Sequence, residues 1–518
     1  MTITLLLALA GCTGQSDVDF STPGSLSDSS GKGSFRFGVS TAATQIEDQN
    51  PHTDWWAWSS PEEAGGLGEG HEPIGEAVLG YTMAIDDIEL ISEMNLDAYR
   101  FSLSWSRIEP ERDAIEEGSL AHYDRFIDGL VDANIRPMIT LHHFSNPLWT
   151  NDFLNGCDNG PTETTLCGWA DEESLPQLLE EIGEYGALVA ERYGDRVDEW
   201  CTVNEPVNYL LASFGLGVFP PGEFNLFTNF DRLVTSMRGL IAAHATLYDA
   251  IKTHDTVDAD GDGVAASVGF SLSVAEWAAS RDGELSENPE DSAAADRVRY
   301  VYHHLFPQSI LRGSFDADLD QVGEESHPEW AGKLDWLGLQ YYFRAGVSGK
   351  SQSIPGVDAM ICVPGFDSLG GGSCLNLEDD TKWVPSMSYE YFEPGLGNVL
   401  LEFADAYPEI PLAVTEAGIA TGVGERRAEN IVRSLEQIQR ATQEGADVRG
   451  YYHWSLTDNF EWAEGYGPQF GLYAVDRSDF SRSPTLGAEV FGDIASGRKL
   501  TQKLRDLYGG LGPMTPEP

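Results

Sequence analysis

Eight short, apolar, β-prone runs recur along the chain, separated by longer stretches with helical periodicity. The runs are Phe35–Thr41, Ala98–Leu103, Arg136–His142, Asp198–Val203, Ala266–Leu272, Leu334–Tyr341, Ile410–Thr415 and Val448–Trp454. Between them lie amphipathic stretches such as Leu175–Tyr193, Asp231–Thr253, Asp291–Leu311 and Arg426–Gly445, with apolar residues at helical spacing. Such an alternation predicts an α/β fold, a (β/α)8 TIM barrel forming a single domain. A chain of 518 residues can bury a core of that size. In such a barrel the functional side chains gather at the C-terminal ends of the strands.

Two of the runs end in a carboxylate. Ile410–Gly418 reads IPLAVTEAG and stops at Glu416, and Asp198–Pro206 reads DEWCTVNEP, with Glu205 after Val203 and Asn204. A strand that apolar has little reason to end in an acid unless the acid faces a cleft. Gln45 follows the first run, Arg100 lies in the second, and His142 and His143 close the third. Gln340, Tyr341 and Tyr342 close the sixth and Trp454 the eighth, with Glu461 and Trp462 shortly after. Each has a plain reading when taken singly. A strand-end acid is more often a surface charge, His143 a core histidine, Arg100 the partner of any buried acid, and a tryptophan ordinary core. Packing alone does not require so many of them on one rim.

Two carboxylates in unlike surroundings are what glycosidic bond cleavage needs. One is protonated and serves the leaving oxygen, while the other is ionised and attacks or stabilises the anomeric carbon. Arg100, facing Glu416, would keep that acid charged, and Tyr342 would add a hydrogen bond. Asn204 would hold a sugar 2-hydroxyl. Gln45, His143 and Glu461 would serve other hydroxyls, and Trp454 and Trp462 the apolar face of the ring.

Six segments carry a resemblance. FRFGVSTAATQIED (Phe35–Asp48), YRFSLSWSRIEP (Tyr99–Pro110), TLHHFSNP (Thr140–Pro147), CTVNEP (Cys201–Pro206), VTEAG (Val414–Gly418) and WSLTDNFEWAEGYGPQFGLYAVD (Trp454–Asp476) resemble, in family order, the signatures of glycoside hydrolase family 1, the β-glucosidase family. The resemblance implies a retaining mechanism with Glu205 as general acid/base and Glu416 as nucleophile, and it adds Phe470 as a sugar-lining residue. It also implies that no cofactor is required and that the substrate is a β-linked glycoside or oligosaccharide. Glu205 argues against the thioglucoside-cleaving branch, and Glu461 against the phospho-glycosidase branch, since a carboxylate there would repel a 6-phosphate. The chain departs from the family pattern at Ala417, at Gln340 and at Phe144, where Asn, Asn and Trp are usual. Gln340 is the departure expected to alter contacts on the leaving-group side.

The 84 acidic residues against 31 basic give a formal charge of −53, which excludes phosphate-rich nucleic acid as a partner. The acidity reads as a solvated surface suited to salty surroundings, with attraction of cationic ligands as the minor alternative. Met1–Cys12 is an apolar segment ending in Leu9-Ala10-Gly11-Cys12. It resembles a bacterial lipoprotein signal, with residues 1–11 removed and Cys12 lipidated, although no Lys or Arg precedes the apolar run. The expected location is therefore an exported, membrane-anchored lipoprotein, periplasmic or on the cell surface, touching the membrane only through Cys12. Residues 12–34 are rich in Ser, Gly and Asp and predict a flexible tether. Residues 35–508 form the barrel domain, and residues 509–518 a loose tail.

Export makes two disulfides plausible, Cys157 with Cys167 and Cys362 with Cys374, while Cys201 inside a strand reads as a buried thiol. The run Asp258-Ala259-Asp260-Gly261-Asp262-Gly263 resembles the first half of an EF-hand loop, but position twelve is Gly269. Structural calcium at Asp258, Asp260 and Asp262 and a bare acidic turn are both open readings, the turn being favoured. The pairs His142–His143 and His303–His304 are set aside as metal sites, because neighbours in a strand face apart. The function expected is hydrolysis of terminal β-D-glucosyl or related β-hexosyl residues. The alternatives are a transglycosylase on the same scaffold and a catalytically dead carbohydrate-binding lipoprotein.

Overall fold

A computed structural model describes residues 16–157, 160–350, 354, 357–362 and 374–518. Its centre is a closed ring of eight parallel strands: β1 Arg36–Ser40, β2 Ala98–Ser102, β3 Arg136–His142, β4 Glu199–Asn204, β5 Ser267–Arg281, β6 Trp336–Ser348, β7 Leu412–Ala417 and β8 Val448–Trp454. Each pairs with the next, and β8 pairs back with β1 (Gly450 opposite Arg36, Trp454 opposite Ser40), so the sheet has no edge at the ring. The expected (β/α)8 TIM barrel is the fold observed. β5 and β6 run well past the expected Leu272 and Tyr341, and their extensions stay paired above the barrel (Arg344 opposite Glu276, Val347 opposite Ala279).

Helices cover the ring: α1 Ala84–Glu93, α2 Glu117–Asp132, α3 Leu175–Tyr193, α4 Phe230–His254, α5 Pro289–Arg299, α6 Leu305–Arg312, α7 Glu393–Ala406, α8 Gly424–Gln443 and α9 Leu486–Gly497. Strands sandwiched between helices and the barrel interior have no solvent face, and β1, β4, β7 and β8 are buried at every residue. The barrel interior is a separate apolar cluster of Ala98, Met138, Cys201, Trp336, Ala413 and Tyr452, joined by Leu26. Large and small residues alternate there: a Cβ on Gly38 would stand 2.4 Å from the Tyr452 ring, and one on Gly269 would stand 2.6 Å from the Trp336 ring.

The single helix expected over Asp291–Leu311 is two helices joined by one wide helical turn, Tyr300–His304. This turn also corrects the reading of His303 and His304 as strand neighbours facing apart. On a helical turn both rings reach Oε1 of Glu402, at 2.8 and 2.9 Å.

The tether expectation fails over residues 17–34. Val18–Asp19 pairs with Lys499–Leu500, and Leu26 is fully buried beneath the barrel. Arg449 donates to the carbonyls of Ser25 and Leu26 at 3.1 Å and to that of Asp28 at 2.5 Å, and Arg36 donates to the carbonyl of Gly24 at 2.5 Å. A Ser/Gly/Asp composition has little apolar surface to bury, but here two guanidiniums satisfy the carbonyls and one leucine plugs the barrel floor. The loose-tail expectation fails similarly. Met514 is buried, Arg433 donates to the carbonyls of Gly512 (2.8 Å) and Pro513 (3.0 Å), and Thr515 N–H donates to Glu429 (2.9 Å).

Residues 1–15, with the signal segment and Cys12, lie outside the described residues. Cys157 and Cys167 are joined, with Cα atoms 5.7 Å apart, as are Cys362 and Cys374, with Cα atoms 4.6 Å apart. Cys201 is buried and free. In the acidic loop Asp258 accepts from Gly263 N–H, Asp260 from Asp262 N–H and Asp262 from Val264 N–H, and Asp260 also pairs with Arg136. The loop precedes β5 and so sits at the end of the barrel opposite the cavity described below.

Leu26→Ala is expected to lower the unfolding free energy by about 2–4 kcal/mol, as for a leucine truncated in a packed core. Chemical denaturation of the purified protein measures it, and a mobile tether would show no change.

Candidate active site

The C-terminal ends of the strands surround a cavity of about 630 Å³. Gln45, His143, Asn204, Glu205, Tyr342, Glu416, Trp454, Glu461, Trp462 and Phe470, dispersed over more than four hundred positions of sequence, all line it. His142 and Tyr341 do not line it. His142 turns to Asn146 (3.1 Å), and the Tyr341 hydroxyl donates to the Phe392 carbonyl (2.6 Å). Strand alternation sends these neighbours to opposite faces.

Glu416 is the penultimate residue of β7 and is held by three donors. Arg100 Nη1 donates to Oε1 at 2.6 Å, Gln340 Nε2 to the same oxygen at 2.7 Å, and the Tyr342 hydroxyl to Oε2 at 2.8 Å. Burial pushes its pKa up, while Arg100 and the Tyr342 hydrogen bond pull it back down. Glu205 lacks such a cation. Its backbone sits in the left-handed region at φ 39°, where the chain turns from β4 into the short helix Pro206–Leu210. Asn208, on the next helical turn, donates to Oε2 at 2.8 Å. Burial first, then the charge of Glu416, raise the Glu205 carboxyl to about 8. Glu416 therefore ionises first and Glu205 holds its proton, an arrangement for general-acid and nucleophilic chemistry side by side.

Arg100 also holds Asn204, whose Oδ1 accepts from Arg100 Nη2 (2.5 Å) and Gln340 Nε2 (2.7 Å), leaving the amide nitrogen for a ligand. Gln340 is thus not a leaving-group contact. It is fully buried behind Glu416, and its longer side chain spans Glu416 and Asn204.

Gln45 donates to the Phe460 carbonyl (2.8 Å) and to Glu461 Oε2 (3.1 Å), while its own Oε1 is buried with no partner. Burial and the charge of Glu416 raise the Glu461 carboxyl to about 8. His143 shares a hydrogen bond with Ser102 (Nδ1 to Oγ, 2.9 Å), and burial, with Arg100 nearby, holds its pKa well below the ordinary value, so the ring is neutral. Trp462, at φ 49°, and Phe144, at φ 59°, pack against each other with ring centroids 5.2 Å apart, and Trp462 also tilts over Trp55 at 5.0 Å. Phe470 meets the Tyr342 ring edge-on at 5.9 Å. Three site residues in left-handed backbone mark strain gathered at the cavity. The wall therefore offers an unsatisfied amide oxygen, two neutral acids, a neutral imidazole and broad aromatic faces, which suits a polyhydroxylated ring.

Sequence reasoning missed Asn208, Ser273 and Tyr302, all of which line the cavity. Asn208 was legible in principle, standing three residues beyond Glu205 at the start of a helix. Tyr302 carried no signal, since its helical stretch reads as ordinary amphipathic sequence.

A family model described as Glycosyl hydrolase family 1 matches residues 29–499. A β-galactosidase of Pyrococcus woesei is 29% identical over 521 residues, covering 91% of this chain and 98% of the relative. A chloroplastic benzoxazinyl glucoside β-D-glucosidase of Triticum aestivum is 27% identical over 499 residues, covering 88% and 82%. Among solved structures, a β-glycosidase from Pyrococcus horikoshii superposes with a TM-score of 0.75 at 28% identity, covering 94% of this chain and 99% of that one. A family 1 β-glucosidase from Thermotoga maritima superposes at 0.74 and 25%, covering 92% and 99%. The chain belongs to glycosyl hydrolase family 1 and is a β-glycosidase.

Proposed function

We propose that this β-glycosidase hydrolyses terminal, non-reducing β-D-glucosyl or related β-hexosyl residues by double displacement with retention. The observation that carries the reading is the asymmetry of the two buried acids: Glu416 takes three donors including a guanidinium, and Glu205 is raised to about 8 beside it. Glu416 attacks the anomeric carbon as Glu205 gives its proton to the departing oxygen, leaving a glycosyl ester on Glu416 and a carboxylate on Glu205. That carboxylate then takes a proton from water, whose oxygen displaces Glu416 and restores the starting state.

The glycone reads as a neutral hexose. Three acids with one guanidinium in contact disfavour an added phosphate, and Gln45, Glu461 and His143 supply hydroxyl partners. Relatives named β-galactosidase and β-glucosidase, and the Thermotoga maritima structure in complex with deoxynojirimycin, support a β-hexosyl unit with β-glucosyl first. Export as a Cys12-anchored lipoprotein belongs to the same proposal and is supported by the two disulfides. Because Asp17 already accepts from Gln502 N–H (2.7 Å), an anchored enzyme would ride close to its membrane.

Four outcomes test the reading. Glu416→Ala is expected to lose turnover by roughly a thousandfold or more, and near-normal rates would refute the nucleophile assignment. Glu205→Ala should keep most of kcat/KM on aryl glycosides with acidic phenols, whose departure needs no proton, and lose it on alkyl glycosides, while kcat falls on both because no base activates the water. Proton NMR of the first turnovers should show the β-anomer of the sugar before mutarotation; an α-anomer would mean inversion. Since Glu205 must be protonated to act, kcat/KM should fall as pH rises through about 8, and it should fall again at acid pH as Glu416 takes up a proton.

A further inference from the structure

Beyond Glu205 itself, the wide helical turn Tyr300–His304 is fastened to the middle of β5 at several points. The Tyr302 hydroxyl donates to Ser273 Oγ at 3.0 Å. His303 Nε2 accepts from Ala275 N–H at 3.2 Å and from Trp277 Nε1–H at 3.1 Å. Those two donors leave the His303 proton on Nδ1, where it is given to Glu402 at 2.8 Å. A turn wider than an α-helix pushes one residue out of register, and the residue presented here is Tyr302. Glu205 N–H donates to the Ser271 carbonyl at 2.8 Å, and Ser273, two residues further along β5 on the same face, lines the cavity together with Glu205. Because Tyr302 donates to Ser273 Oγ, the serine proton is free to be donated onward. Both hydroxyls are buried and both line the cavity.

We infer that Tyr302 and Ser273 form a hydroxyl chain, Tyr302 O–H to Ser273 Oγ–H to Glu205, that positions the acid/base and favours its ionised state. This inference rests on the acid/base role proposed for Glu205. No proton need leave the chain. When Glu205 has protonated the leaving oxygen, its new carboxylate accepts from Ser273, whose oxygen still accepts from Tyr302. A donor that is itself hydrogen-bonded donates more strongly, so the tyrosine acts through the serine. The other groups facing Glu205 are Glu416 from β7, Arg100 from β2, Tyr342 from β6 and Asn208 from its own helix, with Glu461 in the same cavity. Glu416 opposes ionisation of Glu205, and Asn208, Ser273 and Arg100 favour it. Tyr302 and Ser273 are positioning residues, and their removal should leave the nucleophile ion pair intact.

The test is the pH profile of kcat/KM for Tyr302→Phe, Ser273→Ala and the double variant, on a substrate whose glycosylation step limits. Tyr302→Phe keeps the ring that packs edge-on against Trp277 at 5.0 Å, and Ser273→Ala is the independent arm should that ring shift. Loss of donors to the ionised form lets Glu205 keep its proton to higher pH. The alkaline limb should therefore move up by about half a unit in Tyr302→Phe and further in Ser273→Ala. Because the two act in series, the double variant should match Ser273→Ala alone. Alkaline limbs coincident with the parent enzyme, or shifts that add in the double variant, would overturn the chain. Glu205→Gln, run alongside, separates the two levels. An alkaline limb that persists in Glu205→Gln means that Glu205 is not the titrating acid, and the underlying reading fails. A limb lost there but unmoved in the hydroxyl variants overturns the chain alone.

Discussion

A single guanidinium inside the barrel governs the charge of everything around it. Arg100 is fully buried and contacts Glu416 and Asn204. A buried cation without an anion is costly, so the pair is kept together and Glu416 is the acid that ionises. Once it does, its charge is felt by Glu205 and Glu461, both already penalised by burial, and each is pushed to about 8. One ion pair thus turns three glutamates in one cavity into one charged acid and two neutral ones. Tyr342 and Gln340 refine the arrangement, but Arg100 gives it its direction.

The barrel makes this possible by geometry more than by sequence proximity. Arg100, Asn204 and Glu416 lie on β2, β4 and β7, far apart along the chain, and each points inward at the same end of a closed parallel sheet. Burial on both faces of the strands removes competing solvent, so electrostatic contacts count for more there than at a surface. The opposite end is sealed by Leu26 and by the carbonyls that Arg449 and Arg36 hold. Floor and mouth are thus built by different devices, an apolar plug with saturated carbonyls below and a polar, partly unsatisfied wall above.

Much of this was legible in the chain itself, for physical reasons. A strand that carries an apolar run and then stops at an acid announces its C-terminal end, and the barrel brings such ends together. That is why Glu205 and Glu416 could be named before any coordinates. What could not be read depended on partners far away in sequence. Residues 17–34 look like a tether because their composition is polar, yet their carbonyls find Arg36 and Arg449. Gln340 looked like a leaving-group contact because the consequence of one extra methylene depends on where Glu416 and Asn204 sit. Tyr302 lay hidden in a helical pattern because a single wide turn leaves no periodic trace. Only neighbour-by-neighbour packing reveals these.

The central claim is that Glu416 is the ionised acid that bonds to the sugar. The most direct measurement is incubation with a 2-deoxy-2-fluoro-β-glucoside bearing a good leaving group, followed by intact mass and peptide mapping. The account predicts one fluoroglucosyl adduct per chain, on the peptide carrying Glu416, and activity that returns as the adduct turns over. An adduct on Glu205 or elsewhere, or none with the gluco, galacto and manno reagents on an enzyme still active toward β-glycosides, would contradict it.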